Sequence, residues 1–241
     1  MKIQLISFLG GMDPRSRRTR VRDIINGSEA DLILFPGDTM RDCRDLRVIA
    51  PRLVNRDVTA VLELAEGVVM GLPHSLYVYH DGLIEDLFTC QLFAEGGQLK
   101  GREGLMEKFF DELPRRQFRI REKRFTVLQC GESSVISGSG VGEFRFKDNG
   151  ELNERFEKMM GGTDIFLNPI HTYQGHQNRI QKRRSVLSSD GKYYLSTACT
   201  SYADQSLRMK SLQYIWHDGK EMTIAPDLHE EDGYVSRIIE I

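Results

Sequence analysis

Short apolar runs recur along the chain at residues 3–8, 32–35, 68–72, 76–79, 125–128, 165–167, 193–198 and 212–216. Their length and their β-branched and aromatic content predict buried strands. Between them, apolar residues return at helical intervals. Val21, Ile24 and Ile25 predict a helix over 17–25, and Val58, Val61, Leu62 and Leu64 predict another over 58–64. Leu105, Met106, Phe109, Phe110 and Leu113 share one face of 102–113, and Leu152, Phe156, Met159 and Met160 share one face of 150–160, which Gly161-Gly162 ends. The polar, basic stretch 174–189 predicts an exposed helix running into the strand at Tyr193, and Asp218-Gly219 and Asp232-Gly233 mark hairpins near the end. Strands interleaved with amphipathic helices predict an α/β architecture.

At 241 residues and 40% hydrophobic content the chain can bury a full core, and without a long linker it reads as one domain over 1–241. Lys plus Arg number 33 against 35 Asp plus Glu, so no global field favours nucleic acid or an anionic membrane. The first residues reach Gly10-Gly11 before a signal-peptide core forms, and no apolar run is long enough to span a bilayer, which predicts a soluble, cytoplasmic protein. Two basic clusters stand out, Arg15, Arg17, Arg18, Arg20 and Arg22, and Arg179, Lys182, Arg183 and Arg184. Neither is interleaved with stacking aromatics, so both read as solvated helix faces paired with acids. Cys43, Cys90, Cys130 and Cys199 form no C-x-x-C pair, hence neither a zinc knuckle nor a disulfide framework is signalled.

Three segments together carry more information. Leu32-Ile33-Leu34-Phe35-Pro36, then Phe125-Thr126-Val127-Leu128-Gln129-Cys130-Gly131-Glu132, then Ile165-Phe166-Leu167-Asn168-Pro169, followed by basic Arg183-Arg184 and a strand from Tyr193, resemble in order and spacing the nitrilase, or carbon-nitrogen hydrolase, superfamily. The resemblance covers nearly the whole chain. It implies a four-layer α-β-β-α sandwich and a Glu-Lys-Cys site, in which a thiolate attacks an amide or nitrile carbon, Glu moves protons and Lys stabilises the tetrahedral intermediate.

On that resemblance Cys130 takes the nucleophile's position, with Gly131 allowing a sharp turn after the strand. Glycine, Gly37, stands where the family has its Glu, and Cys90 stands where it has its Lys. Asp38 is the nearest substitute base, Lys100 the nearest substitute cation, and Glu95 lies near a supporting acid of the family. Gly37, Cys90, Gly131, Glu132 and His171 are expected to line the pocket. His171 and His176, five positions apart, do not share a helix face, so no metal is expected, and no cofactor is implied. With Glu and Lys displaced, the expectation is a divergent nitrilase-like protein, non-catalytic or weakly active, that binds a small amide-like ligand or a protein partner. The alternative is a cysteine-dependent C–N hydrolase (an amidase) or acyl transferase with a rearranged base. The resemblance further implies a homo-oligomer, a dimer at the simplest.

Overall fold

The computed structural model describes residues 1–10, 12–66, 73–139, 142–171, 178–199, 212–229 and 232–241. The chain begins with β1 (Lys2–Phe8), α1 (Pro14–Gly27), β2 (Leu32–Leu34), α2 (Cys43–Ile49), β3 (Thr59–Glu66), β4 (Pro73–His80) and β5 (Leu83–Cys90). It continues through α3 (Glu103–Glu112), β6 (Gln117–Ile120), β7 (Lys123–Val127), α4 (Gly150–Gly161), β8 (Ile165–Ile170), α5 (Asn178–Leu187) and β9 (Tyr193–Ala198). It closes with β10 (Gln213–His217), β11 (Lys220–Met222), β12 (Asp227–His229) and β13 (Tyr234–Glu240).

These strands form two sheets, ordered β12-β13-β1-β2-β3-β4-β5 and β11-β10-β9-β8-β7-β6. Each has a parallel centre, β1-β2-β3 in one and β7-β8-β9 in the other, with antiparallel strands at its flanks. The inner faces meet in a shared core of Ile3, Leu5, Leu34, Val61, Val78, Phe125, Val127, Leu167, Leu195 and Ile215. On the outer face of the first sheet, Val21 and Ile25 of α1 and Leu46 and Ile49 of α2 pack on Ile6, Phe8, Ile33 and Leu62. On the outer face of the second, Phe109 and Phe110 of α3 and Phe156 and Met159 of α4 pack on Phe166, Tyr194 and Trp216. The layers are therefore α-β-β-α. No described helix is long and apolar enough to cross a membrane.

One predicted element is corrected. Residues 58–64 are not helical; they belong to β3, a strand paired on both sides, with β2 and β4. Both faces of β3 are buried, Ala60, Leu62 and Leu64 under the helices and Val61 between the sheets. A strand covered on both faces loses the alternation that identifies strands, and its apolar positions then also satisfy a helical interval. The predicted strand at 68–72, the start of the 174–189 helix and His176 lie outside the described residues.

Candidate active site

The parallel strands β2, β7 and β8 end at the same edge of the sandwich, and the residues that follow them converge there. After β7 the chain enters a 3₁₀ turn, Cys130–Val135, whose first residue takes φ 33°, in the left-handed region that an L-residue occupies at a cost. Several contacts hold Cys130 in that conformation. Asn168 of β8 donates from Nδ2 to the carbonyls of Leu128 and Cys130, the latter at 3.0 Å, while its Oδ1 accepts the Tyr194 hydroxyl at 2.6 Å. Gly131 lies against the Ala94 carbonyl, where a Cβ would sit 1.6 Å from the oxygen, so no other residue fits.

Glu132 fastens the turn from below. Its fully buried carboxylate pairs with Nη1 of the equally buried Arg116 and accepts the backbone N–H of Leu92 (2.9 Å) and of Gln129 (2.8 Å). Burial pushes its pKa up, against the pull of Arg116 and those amides.

Facing Cys130 is His171, the first residue after β8. Its imidazole lies close enough to Cys130 for the sulfur to act on its protonation, and its Nε2 is bonded to Oε1 of Glu63, a β3 residue with no exposed surface. Glu63 points between the sheets, on the same face of β3 as Val61, and so reaches the end of the opposite sheet. Its Oε2 accepts from Gln129 Nε2 at 2.8 Å and its Oε1 from the Asp38 N–H at 3.2 Å. Burial drags the His171 pKa down, but Cys130 and Glu63 prevail and push it up to about 11. The ring therefore holds its proton throughout the neutral range.

A second histidine backs the first. His74, at φ 57° near the start of β4, stacks on His171 with ring centroids 3.9 Å apart, and its Nδ1 meets Asp38 Oδ1 at 3.0 Å. Burial opposes ionisation of Asp38, yet the His74 bond and the charges of His171, His74 and Arg17 keep its pKa below the ordinary value. Asp38, Glu63, His74 and His171 each offer a ligand atom, all mutually within 4.8 Å, a donor set of metal-site type. These groups also bond one another: Glu63 to His171 and Gln129, and Asp38 to His74.

No family model and no curated protein matches the sequence. Solved structures do. A glutamine-dependent NAD(+) synthetase from Cytophaga hutchinsonii superposes with TM-score 0.54 at 12% identity, over 99% of this chain and 42% of its own. A CN-hydrolase superfamily protein from Xanthomonas campestris with an arsenic adduct in its active site gives 0.56 at 11%, over 100% of this chain and 91% of its own. An amidase from Nesterenkonia sp. AN1, of the nitrilase superfamily, gives 0.57 at 12%, over 99% and 90%, in a form carrying the acetamide moiety of fluoroacetamide on its active-site cysteine. The chain has the nitrilase fold. The sequence resemblance holds at that level, and the present chain spans less than half the length of the NAD(+) synthetase.

Within the nitrilase fold, the geometry gives Gly37 a physical reason. A Cβ on Gly37 would lie 2.4 Å from His171 Cδ2 and 2.8 Å from the His171 backbone nitrogen. The imidazole occupies the space that a side chain at position 37 would need. The Gly37 N–H in turn bonds the Ile170 carbonyl at 3.1 Å, tying the end of β2 to the end of β8.

Of the residues singled out in the sequence, the structure gathers Cys130, Gly131, Asp38, Gly37 and His171 around one point. Glu132 supports that point from beneath. Cys90, buried at the end of β5, accepts from Arg116 Nη2 through its carbonyl at 2.6 Å, and burial raises its thiol pKa. Glu95 and Lys100 line a different cavity, whose lining does not include Cys130. Glu63, His74 and Gln129 escaped the sequence reading. A lone acid inside an otherwise apolar run was the available signal for Glu63, but with 58–64 read as a helix it falls on a solvent face.

Proposed function

We propose that this protein is a cysteine-dependent acyl-transfer enzyme, a C–N hydrolase of small amides, with Cys130 as nucleophile, His171 as its proton partner and Glu63 as the group that orients and charges His171. The alignment of Cys130, His171 and Glu63, with the imidazole between the sulfur and a buried carboxylate bonded to it, carries this reading. It replaces the Glu-Lys-Cys site that the resemblance implies with a Cys-His-acid arrangement of the kind found on unrelated folds. It also favours the hydrolase alternative over a non-catalytic binder.

The thiolate is the attacking form of any cysteine nucleophile, and a charged imidazole beside the sulfur is the partner that form needs. Attack on the amide carbon forms the C–S bond and pushes the carbonyl electrons onto oxygen. Collapse expels the amine, which takes its proton from His171, leaving a thioester and a neutral ring. That ring then accepts a proton from water as it attacks the thioester, returning sulfur and imidazolium to their starting state. Glu63, held by Gln129, keeps the ring in one orientation and balances its charge, and His74 packs flat against it. No step uses a metal or an organic cofactor. The ligand is a small amide, the acceptor water or a second nucleophile, and the assembly a homodimer, whose mass light scattering reads directly.

Fluoroacetamide and iodoacetamide labelling, followed by peptide mass spectrometry, test the reading. Cys130 is expected to react faster than Cys43, Cys90 and Cys199, the last being buried with its thiol pushed up to about 11. His171→Ala should slow acylation by about 10²- to 10⁴-fold, with chelator leaving the wild-type rate unchanged. Equal labelling of all four cysteines, or indifference to His171→Ala, rules the proposal out.

A further inference from the structure

The two arginine clusters of the sequence meet different fates. On α1, Arg18 pairs with Asp45 at 2.7 Å, Arg20 with Asp232, and Arg22 with Asp23 at 2.6 Å, while Arg17 donates to the Asp38 carbonyl and lies over Phe8. On α5, Arg179 and Arg183 converge with Arg145 on a cavity of about 660 Å³ that also touches Lys100, Phe146 and Ile180. Among the described residues none of these three arginines has a carboxylate partner.

The lining carries four cations, Lys100, Arg145, Arg179 and Arg183, against one acid, Glu95, a net of +3. Glu95 caps its own 3₁₀ turn through its backbone, its carbonyl accepting the Gln98 N–H at 3.1 Å and its N–H donating to Gln98 Oε1. Arg145 and Arg183 are fixed through Nε alone, to the carbonyls of Ser134 and Ile136 (3.1 Å for the latter), which leaves their terminal nitrogens uncommitted among the described residues. Gly96 admits the Arg145 guanidinium, since a Cβ there would stand 2.1 Å from Nη2. The arrangement is costly without a counter-ion: burial and then the neighbouring Arg145 and Arg179 charges push Arg183 down to about 10, and burial with the Arg179 charge lowers Arg145. Like charges collected in a concavity of small-molecule size are what an oxyanion site requires, because planar guanidinium forks grip phosphate oxygens in pairs.

We propose that this cavity binds the phosphate group of a small molecule, or free phosphate, between Arg145, Arg179 and Arg183. Leu99, Phe146 and Ile180 supply apolar wall for an organic portion. A nucleic acid is disfavoured by the concave shape and by the net charge of -2 that the chain carries as a whole. The proposal is independent of catalysis at Cys130.

Calorimetric titration of the Cys130→Ala protein at about 0.15 M salt keeps the two ideas separate. Glycerol phosphate, inorganic phosphate and pyrophosphate are the small probes, and a short single-stranded RNA is the competitor. Saturable 1:1 binding of a small phosphate is expected, weakened about tenfold or more by Arg179→Gln and by Arg183→Gln and unchanged by Arg15→Gln. Arg179 is exposed, so its replacement tests the site even where loss of Arg183 disturbs folding. A monoester binding more tightly than inorganic phosphate identifies an organic ligand, and equal binding identifies free phosphate. No saturable binding, binding indifferent to Arg179→Gln, or tighter binding of RNA than of any small phosphate overturns the proposal.

Discussion

The residue on which the site turns is one with no side chain. Gly37 is needed because the His171 ring fills the volume beside it, and a methyl group there would meet Cδ2 at 2.4 Å. Gly37→Ala is therefore expected to leave the fold standing but displace the imidazole, lowering acylation about 10²-fold, the usual consequence of an ångström-scale shift in a reacting group. Circular dichroism beside the labelling rate separates the two effects. Cys130, Gly131, Asp38 and His171 were reached in the sequence through the resemblance, whose motifs mark the strand ends that the fold brings together. Glu63 was not, because what brings it to His171 is its burial between two sheets, which no local pattern records.

At the scale of elements, the site rests on the buried pair beneath the 3₁₀ turn. Arg116 gives one guanidinium to Glu132, to the Thr89 hydroxyl (2.8 Å) and to the Cys90 carbonyl, joining the ends of β5 and β7. Arg116→Met strands a buried carboxylate and is expected to cost about 3–5 kcal/mol, whereas Arg116→Met with Glu132→Leu should recover most of that stability. Urea unfolding of both variants measures the difference. The double variant still loses the bonds to the Leu92 and Gln129 amides, so its acylation rate should remain low even where its stability returns. The order of strands and helices was readable from apolar runs, and the failure at 58–64 has one cause: a central strand covered on both faces has no polar side to set its period. The hairpins marked at Asp218-Gly219 and Asp232-Gly233 join β10 to β11 and β12 to β13, whereas α2, β5 and β6 escaped. Both strands lie at sheet edges with little buried surface, and α2 is brief, so they carry little apolar pattern to read.

For the molecule as a whole, two groups set the limits of a pH plateau. His171 has its folded pKa raised from 6.5 to about 11, so the stability it contributes is complete below about 6.5 and disappears as pH rises through about 11. Asp164, bonded to Arg124 at 2.7 Å, has its pKa lowered from 3.8 to about 2, so its contribution is present above 3.8 and is lost as pH falls through about 2. Denaturation midpoints measured across that range should fall at both ends. The alkaline decline should flatten in His171→Gln and the acid decline in Asp164→Asn.

The crowding at position 37 also bears on how chains of this fold are sorted. A survey that takes each position alone would pass over the pairing of Gly37 with His171. The void left by the glycine is the mould of the ring that fills it, since the two cannot share that space. A glycine after the second strand of the fold and a histidine just beyond the strand that follows the cysteine are thus one packing unit, to be read together rather than position by position.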